Sequence, residues 1–230
     1  MTEIHGKRIL VTGASGVLGG LIAQHLARAG AQLVLTGRDS AKLQQLGIDA
    51  QMYTMDLSIP GAGSSLIRTV TAEGPLDGVI IAHGVVAFGA AADLDTPTLL
   101  KLMETNLTSP IEILTSSHSA LQASAQAGNE PFAVTISGVI ADMPTASMAA
   151  YGASKAGLKA FVSALQREWR REGISVLDAR PPHTETGLAQ RAISGVAPQM
   201  PQGLSPQAVS ERIVQAIVAK EKDLPANLFG

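Results

Sequence analysis

Short apolar runs alternate along the chain with longer segments in which apolar residues recur at helical spacing. This alternation is typical of a parallel sheet covered by helices. The pattern predicts strands near 7–12, 31–36, 50–54, 77–83, 131–137 and 174–180. It predicts helices near 17–29, 40–46, 62–73, 97–127, 149–172 and 205–221. Because crossovers between parallel strands are right-handed, the helices should cover both faces of the sheet, which makes the fold doubly wound α/β.

The alternation breaks in the segment 183–204. This segment carries three glycines and two prolines without a clean period, so we expect a long loop or flap with at most one short helix. Loops of this length in compact domains are usually functional. No linker composition or internal repeat occurs elsewhere, and residues 1–230 are therefore predicted to form one domain.

The composition limits the possible partners. Charged residues make up 16% of the 230-residue chain and apolar residues 46%, against roughly 25% charged in average soluble domains. The helix predicted at 149–172 is apolar over more than one stripe, so we expect a homotetramer or a homodimer. The net charge of −2, spread without blocks, disfavours nucleic acid and membrane partners. The absence of cysteine excludes disulfides and cysteine metal sites, no metal is expected, and a cytoplasmic location is the expectation.

A turn of small residues joins the first predicted strand to the first helix. It contains Gly13, Ser15, Gly16 and Gly19. In a βαβ unit such a turn lets backbone amides approach a pyrophosphate at the helix N-terminus. The alternative is a tight turn that needs glycine for positive φ. Its position after the first strand favours nucleotide binding and a Rossmann fold.

The end of the second predicted strand bears on which cofactor is bound. A carboxylate at this place holds the ribose 2′-hydroxyl of NAD, whereas an arginine accommodates the 2′-phosphate of NADP. Arg38 therefore favours NADP over NAD. Asp39 could turn back to the ribose, but it fits the N-cap of the following helix better.

Tyr151 and Lys155 stand four residues apart at the start of a predicted helix. Residues at this spacing share one face, so the Lys155 ammonium should lie near the Tyr151 phenol and favour its ionised form. The alternative is a chance pair on a solvated helix. Because the chain has only two tyrosines and this one follows the fifth strand of a nucleotide-binding fold, an acid/base role is favoured.

Five landmarks in this order resemble the short-chain dehydrogenase/reductase family over nearly the whole chain. They are the Gly-rich turn, Asp56, Asn106, Tyr151 with Lys155, and Arg180-Pro181-Pro182 followed by Thr186. The resemblance implies that Tyr151 transfers the proton and that Lys155 binds the nicotinamide ribose and lowers the tyrosine pKa. It further implies that Asn106 holds a water feeding protons to Lys155, that Asp56 contacts the adenine, and that Thr186 contacts the carboxamide end. Gly84, at the end of the fourth strand, is assigned to the cofactor site as well.

The sequence itself supports a special role for Asn106. Pro110 lies four positions on and cannot donate to the Asn106 carbonyl, which is then free to hold a water. The alternative is that both residues bracket a simple helix break.

Two departures from the family pattern concern the site. Ile81-Ala82-His83-Gly84 replaces the usual Asn-Asn-Ala-Gly, and His83 is then either structural, which is the commoner case, or beside the cofactor. The family's serine position is Gly138, with Ser137 just before it. Ser137 could reach a substrate only if the strand end bulges. Otherwise the contact would come from Ser147, Thr145, a backbone amide or water.

The residues expected around the substrate are mostly apolar. Met143, Met148, Leu188 and Met200 favour a medium-sized, mostly apolar carbonyl or alcohol, while His183 and Glu185 either bind a polar group or anchor the flap. The favoured function is an NADP-dependent oxidoreductase of carbonyl and alcohol groups. The alternative is a catalytically weak NADP-binding sensor or regulatory protein.

Overall fold

The computed structural model describes residues 2–230 and contains one parallel sheet. The strands are β1 (Arg8–Thr12), β2 (Gln32–Gly37), β3 (Ala50–Thr54), β4 (Gly78–Ile81), β5 (Phe132–Ile136), β6 (Ser175–Ala179) and β7 (Asp223–Leu224). Their order is β3-β2-β1-β4-β5-β6-β7. The sequence pattern predicts the first six. It misses β7, which has only two residues and so cannot show an alternation.

Helices follow the strands in turn. They are α1 (Val17–Arg28), α2 (Ser40–Gln44), α3 (Ala62–Ala72), α4 (Thr96–Met103), α5 (Ser109–Gln126), α6 (Ala149–Trp169) and α7 (Pro206–Val218). The chain is helical over nearly all of the span predicted at 97–127, but it is not one α-helix, because a π-helical segment, Glu104–Thr108, lies between α4 and α5. There the Ser109 amide donates to the Glu104 carbonyl, five residues back. Pro110, which has no amide proton, follows directly.

Two apolar layers cover the sheet. Ile9 and Val11 of β1 pack with Ile22 of α1 and Ile213 of α7, whereas Leu10 faces the layer that includes α3, α5 and α6. Successive strand residues point to opposite faces, so β1 is buried on both sides. The predicted doubly wound fold is therefore confirmed.

The strand order places a ligand crevice at one edge. The chain leaves β1 toward β2 on one side, while β4 lies on the other, and ligands of such sheets bind at this reversal outside the carboxyl ends. The turn after β1 lies directly against the end of β4. A Cβ placed on Gly13 would lie 2.6 Å from the His83 amide nitrogen. The structure also contains, within residues 2–230, no helix long and apolar enough to cross a membrane.

The predicted flap is a loop that hydrogen bonds hold at its base and at its tip. At its base the Leu204 amide donates to the His183 carbonyl at 2.8 Å, and the Gly203 amide donates to the Glu185 carboxylate at 2.7 Å. At its tip the Ile193 amide donates to the Val86 carbonyl at 2.9 Å. One short 3-10 turn, Ala189–Arg191, lies between these ends.

Candidate active site

The Gly-rich turn presents the start of α1 at the crevice. Gly13 has φ of +68°, and a Cβ on Gly19 would lie 2.4 Å from the Gly13 carbonyl oxygen, so both positions require glycine. Gly16 is exposed at the N-cap, and no side chain caps the helix. The Ser15 side chain packs on Gly37 at the end of β2. The uncapped amides leave donors of the first turn free for an anionic group.

Arg38 and Asp39 follow β2 as predicted and have separate surroundings. Arg38 is exposed at the strand end. The Asp39 carboxylate accepts the Lys42 amide at 3.0 Å and caps α2. This geometry confirms the N-cap interpretation of Asp39 and leaves Arg38 as the charged side chain free to face the crevice.

Asp56 lies just beyond β3 beside a lysine from α4. Its carboxylate accepts the Ser58 amide at 3.0 Å and lies 3.9 Å from Lys101 Nζ, and Lys101 also contacts the Ser58 hydroxyl. Burial alone would raise the pKa of Asp56, but the bonds from Ser58 and the charges of Lys101 and Arg38 lower it. Asp56 and Arg38 therefore belong to one charged region at this end of the crevice.

Tyr151 and Lys155 occupy the first turns of α6. Lys155 is 7% exposed, and its ammonium donates to the Ile136 carbonyl at 2.9 Å. Burial raises the pKa of Tyr151 to about 12 and lowers the pKa of Lys155 to about 8, with the Asp178 charge opposing the latter change. The expected lowering of the tyrosine pKa is not seen, because burial disfavours the phenolate and the Lys155 ammonium is held by a strand carbonyl.

Gly84 and Asn106 lie at the Lys155 ammonium. A Cβ on Gly84 would lie 3.2 Å from Asn106 Oδ1 and 3.4 Å from Lys155 Nζ. The fully buried Asn106 side chain accepts the Val85 amide and donates to the Val85 carbonyl, both at 2.9 Å, and it donates to Ser154 Oγ at 3.1 Å. The structure thus brings Gly84, Asn106 and Lys155 together, and the Asn106 amide joins the loop after β4 to α6.

His83 joins the ends of two elements. Its Nδ1 lies 2.7 Å from Thr12 Oγ1 and its Nε2 lies 3.2 Å from Ser109 Oγ. Burial, together with the smaller effects of the Lys155 and Arg38 charges, lowers the pKa of His83 to about 3. The neutral ring therefore takes over the bridging that the family's strand-end amides would provide, in line with the structural interpretation.

Ser137 lies in the bulge that the sequence allows. The amides of Ser137 and Gly138 both donate to the Ala179 carbonyl, at 3.0 and 3.2 Å, and Gly138 has φ of +76°. However, the Ser137 hydroxyl is fully buried and donates to Asp178 at 2.6 Å. This geometry does not support the substrate contact expected of Ser137, because its hydroxyl is used inside the protein.

A small cavity adjoins Tyr151. Its volume is about 40 Å³, and its lining includes Phe88, Leu102, Ser147, Met148 and Ser194. Ser194 comes from the flap and Ser147 from the turn before α6. Of the four apolar residues predicted around the substrate, Met148 lines this cavity.

The other predicted substrate residues lie elsewhere. Met143 is 64% exposed, and Met200 lines a separate cavity of about 430 Å³ formed within the flap together with His183 and Glu185. His183 Nε2 is 3.4 Å from the Glu185 carboxylate. The Thr186 hydroxyl, at the start of the flap, accepts the Leu188 amide at 3.3 Å.

The sequence reasoning misses Asp178 and Ser194. The sequence does indicate a role for Asp178, because a carboxylate within the apolar run Val176-Leu177-Asp178-Ala179 needs buried partners. Ser194 has no sequence signal, because only the docking of the flap brings it beside Tyr151.

Comparison with known proteins agrees with this geometry. Residues 7–196 match the short chain dehydrogenase family. The 3-oxoacyl-acyl-carrier-protein reductase FabG of Salmonella typhimurium is 30% identical over 87% of this chain and 84% of its own. A short-chain dehydrogenase from Sphingobium yanoikuyae, solved with NADPH, has 23% identity and a TM-score of 0.84 over 95% of this chain and 87% of its own. A metagenomic short-chain oxidoreductase, solved with NADP, has 25% identity and a TM-score of 0.80 over 98% of both chains.

The family match spans most of the chain, and the Gly-rich turn, strands β1 to β6 and the Tyr151/Lys155 pair all lie within it. The protein is therefore an oxidoreductase of the short-chain dehydrogenase/reductase family.

Proposed function

We propose that the protein is an NADP-dependent oxidoreductase that interconverts a small carbonyl compound and its alcohol, with Tyr151 as the acid/base. The observation that carries the proposal is the position of Tyr151, which lines a cavity while Lys155, on the same face of α6, reaches the loop after β4. A proton donor, a buried cation and the ligand crevice of the sheet thus meet at one place.

The crevice fits a dinucleotide. The glycines of the turn leave no room for a Cβ, and the exposed Gly16 starts an uncapped helix, which suits a pyrophosphate. Gly13, Ser15, Gly16 and Gly19 would hold that group. When bound, the nicotinamide supplies or accepts the hydride.

The remaining cofactor contacts come from the strand ends and the flap. Arg38 would form charge-assisted bonds to a 2′-phosphate, Asp56 would contact the adenine, and Gly84 and Thr186 would line the nicotinamide end. The metagenomic relative solved with NADP, at 25% identity over 98% of both chains, supports the choice of NADP over NAD.

The chain's own groups account for the proton. A tyrosine pKa of about 12 keeps the phenol protonated at neutral pH, so Tyr151 can donate to a carbonyl oxygen during reduction. Lys155 has a pKa of about 8 and is charged at pH values below it, and its ammonium near Gly84 would hold the ribose. Asn106 would hold the water that feeds this ammonium with protons.

The cavity limits the substrate. Its volume of about 40 Å³ favours a compact carbonyl compound. Apolar side chains such as Phe88 and Leu102 share its lining with polar ones, which besides Tyr151 are Asp93, Asp95, Thr98, Ser147 and Ser194. Because the Ser137 hydroxyl is bonded to Asp178, Ser147, Ser194 or water would contact the substrate oxygen.

The test is turnover with a labelled cofactor. A panel of aldehydes and ketones is incubated with NADPH deuterated at the transferable position, and the alcohols are examined by mass spectrometry. We expect one deuterium per product molecule, and incorporation into no compound of a chemically broad panel would contradict the proposal.

One observation favours the second candidate, a weakly active NADP-binding sensor. The family's serine position is Gly138, and the hydroxyl next to it is engaged with Asp178. Tight NADPH binding measured by fluorescence, without turnover of any panel member, would select the sensor.

A further inference from the structure

A buried carboxylate that the proposed chemistry does not use lies behind the active site. Asp178 of β6 is 2% exposed and accepts hydrogen bonds from Thr135 Oγ1 at 2.7 Å and from Ser137 Oγ at 2.6 Å. Arg180 Nη1 lies 3.2 Å from the same carboxylate. Burying a carboxylate in a sheet costs free energy, and the hydrogen bonds from Thr135, Ser137 and Arg180 offset that cost.

The two hydroxyls lie on either side of the atom that holds Lys155. Thr135 lies on β5 and Ser137 directly follows its last residue, Ile136, and both hydroxyls donate to Asp178. The carbonyl of Ile136, between them, accepts the Lys155 ammonium at 2.9 Å. Asp178 therefore fixes the strand end whose carbonyl positions the lysine.

We propose that Asp178 is a positioning residue for Lys155: through Thr135 and Ser137 its carboxylate fixes the Ile136 carbonyl, and its negative charge keeps the nearby buried ammonium protonated. The inference rests on the proposed function, in which Lys155 must carry a charge. It also gives Ser137 a role, which is to hold Asp178 rather than the substrate.

The surroundings of Lys155 contain few other charges. His83 faces it from the loop after β4, and burial lowers the pKa of that histidine to about 3, so the ring is neutral. Tyr151 on α6 is a neutral phenol, and Asn106 contributes an amide. The Asp178 charge raises the pKa of Lys155 against the effect of burial, which agrees with the geometry.

Arg180 does not cancel the Asp178 charge, because the one guanidinium contacts three carboxylates. Its two terminal nitrogens bond both Asp223 oxygens at 2.6 and 2.9 Å, and its Nε bonds Asp142 at 2.5 Å. Asp223 is largely exposed, at 58% of its side chain. Asp223→Asn is therefore a matched control, since it removes a carboxylate from Arg180 without touching the strand end that holds Lys155.

The experiment is an NMR titration of the full chain labelled with carbon-13 at the lysine ε position. The Lys155 signal is assigned by its absence in Lys155→Met. We expect a midpoint of about 8 in the native protein. Asp178→Asn should lower this midpoint by about one pH unit, and Asp223→Asn should leave it within a few tenths of a unit. An unchanged midpoint in Asp178→Asn, or an equal change in Asp223→Asn, would overturn the proposal.

A second measurement covers the case in which Asp178→Asn does not fold. Protonation of Asp178 in acid must then appear as a second inflection of the Lys155 signal in the native protein, and its absence would overturn the proposal. Neither titration needs substrate or cofactor. If the panel shows no turnover but the midpoint moves as expected, the proposed function fails and the positioning of Lys155 by Asp178 stands.

Discussion

Replacing His83 tests whether this ring holds the crevice together as a neutral bridge. His83→Leu keeps a similar volume and removes both contacts, leaving Thr12 Oγ1 and Ser109 Oγ without their partner. Both residues are buried, at 0% and 3% exposure. An unsatisfied buried polar group costs about 1–3 kcal/mol, so we expect the free energy of unfolding to fall by about 3 kcal/mol at pH 7.

The same substitution should matter less in acid. The unfolded chain takes up a proton at the ordinary histidine pKa of 6.5, whereas the native pKa is about 3. The native protein therefore loses stability as the pH falls below 6.5, by about 2 kcal/mol at pH 5, and the leucine variant has no such loss. The difference between the two proteins should shrink to about 1 kcal/mol at pH 5.

Urea unfolding of both proteins at the two pH values measures these differences. Ser109→Ala is the control, since it removes one partner, keeps the ring, and should preserve the acid-dependent loss. A difference between His83→Leu and the native protein that is equal at both pH values, or larger in acid, would show that His83 is not a buried neutral bridge.

Three further predictions concern the cofactor, the flap and assembly. Arg38→Ala should weaken NADPH binding by about 10-fold to 100-fold more than NADH binding, with Lys42→Ala as the control; equal losses for both cofactors would refute the assignment. Gly195→Ala places a Cβ 1.9 Å from the Phe88 carbonyl oxygen and should release the flap tip, which raises KM without changing the urea midpoint. Gly187→Ala is the control, because Gly187 has a similar φ of +69° and its Cβ would meet no backbone atom. Equal KM values for the two variants would contradict the docked flap. Light scattering should give two or four times the chain mass of 23.7 kDa, and a monomer mass with and without NADPH would contradict an oligomer.

The sequence predicts the fold well because the strands are apolar and the helices have a clear period. The Gly-rich turn and the N-cap of Asp39 are also readable, since local backbone chemistry decides them. The π-helical segment at Asn106 cannot be predicted in this way, because Pro110 indicates only that a helix hydrogen bond is missing and not how the chain compensates for it. The hydrogen-bond partner of Ser137 cannot be predicted either, since it depends on which side chain of β6 lies opposite in the sheet.

The sequence predicts the positions of Tyr151 and Lys155 but not the direction in which the pKa of Tyr151 shifts. The spacing of Tyr151 and Lys155 correctly puts both on α6, yet burial raises the tyrosine pKa to about 12. Sequence spacing gives the distance between two residues along a helix, and it does not give the solvation that each loses. The lysine's own partner, the Ile136 carbonyl, comes from a strand far away in the sequence.

The central claim is that Tyr151 transfers the proton in an NADPH-dependent reduction, and Tyr151→Phe tests it most directly. The chosen measurement is kcat for the best panel carbonyl, together with NADPH affinity from fluorescence. Removing the phenol hydroxyl should lower kcat at least about 100-fold and leave NADPH affinity nearly unchanged, because a positioned acid contributes about 10²–10⁴-fold. A variant that keeps a near-native kcat would contradict the account.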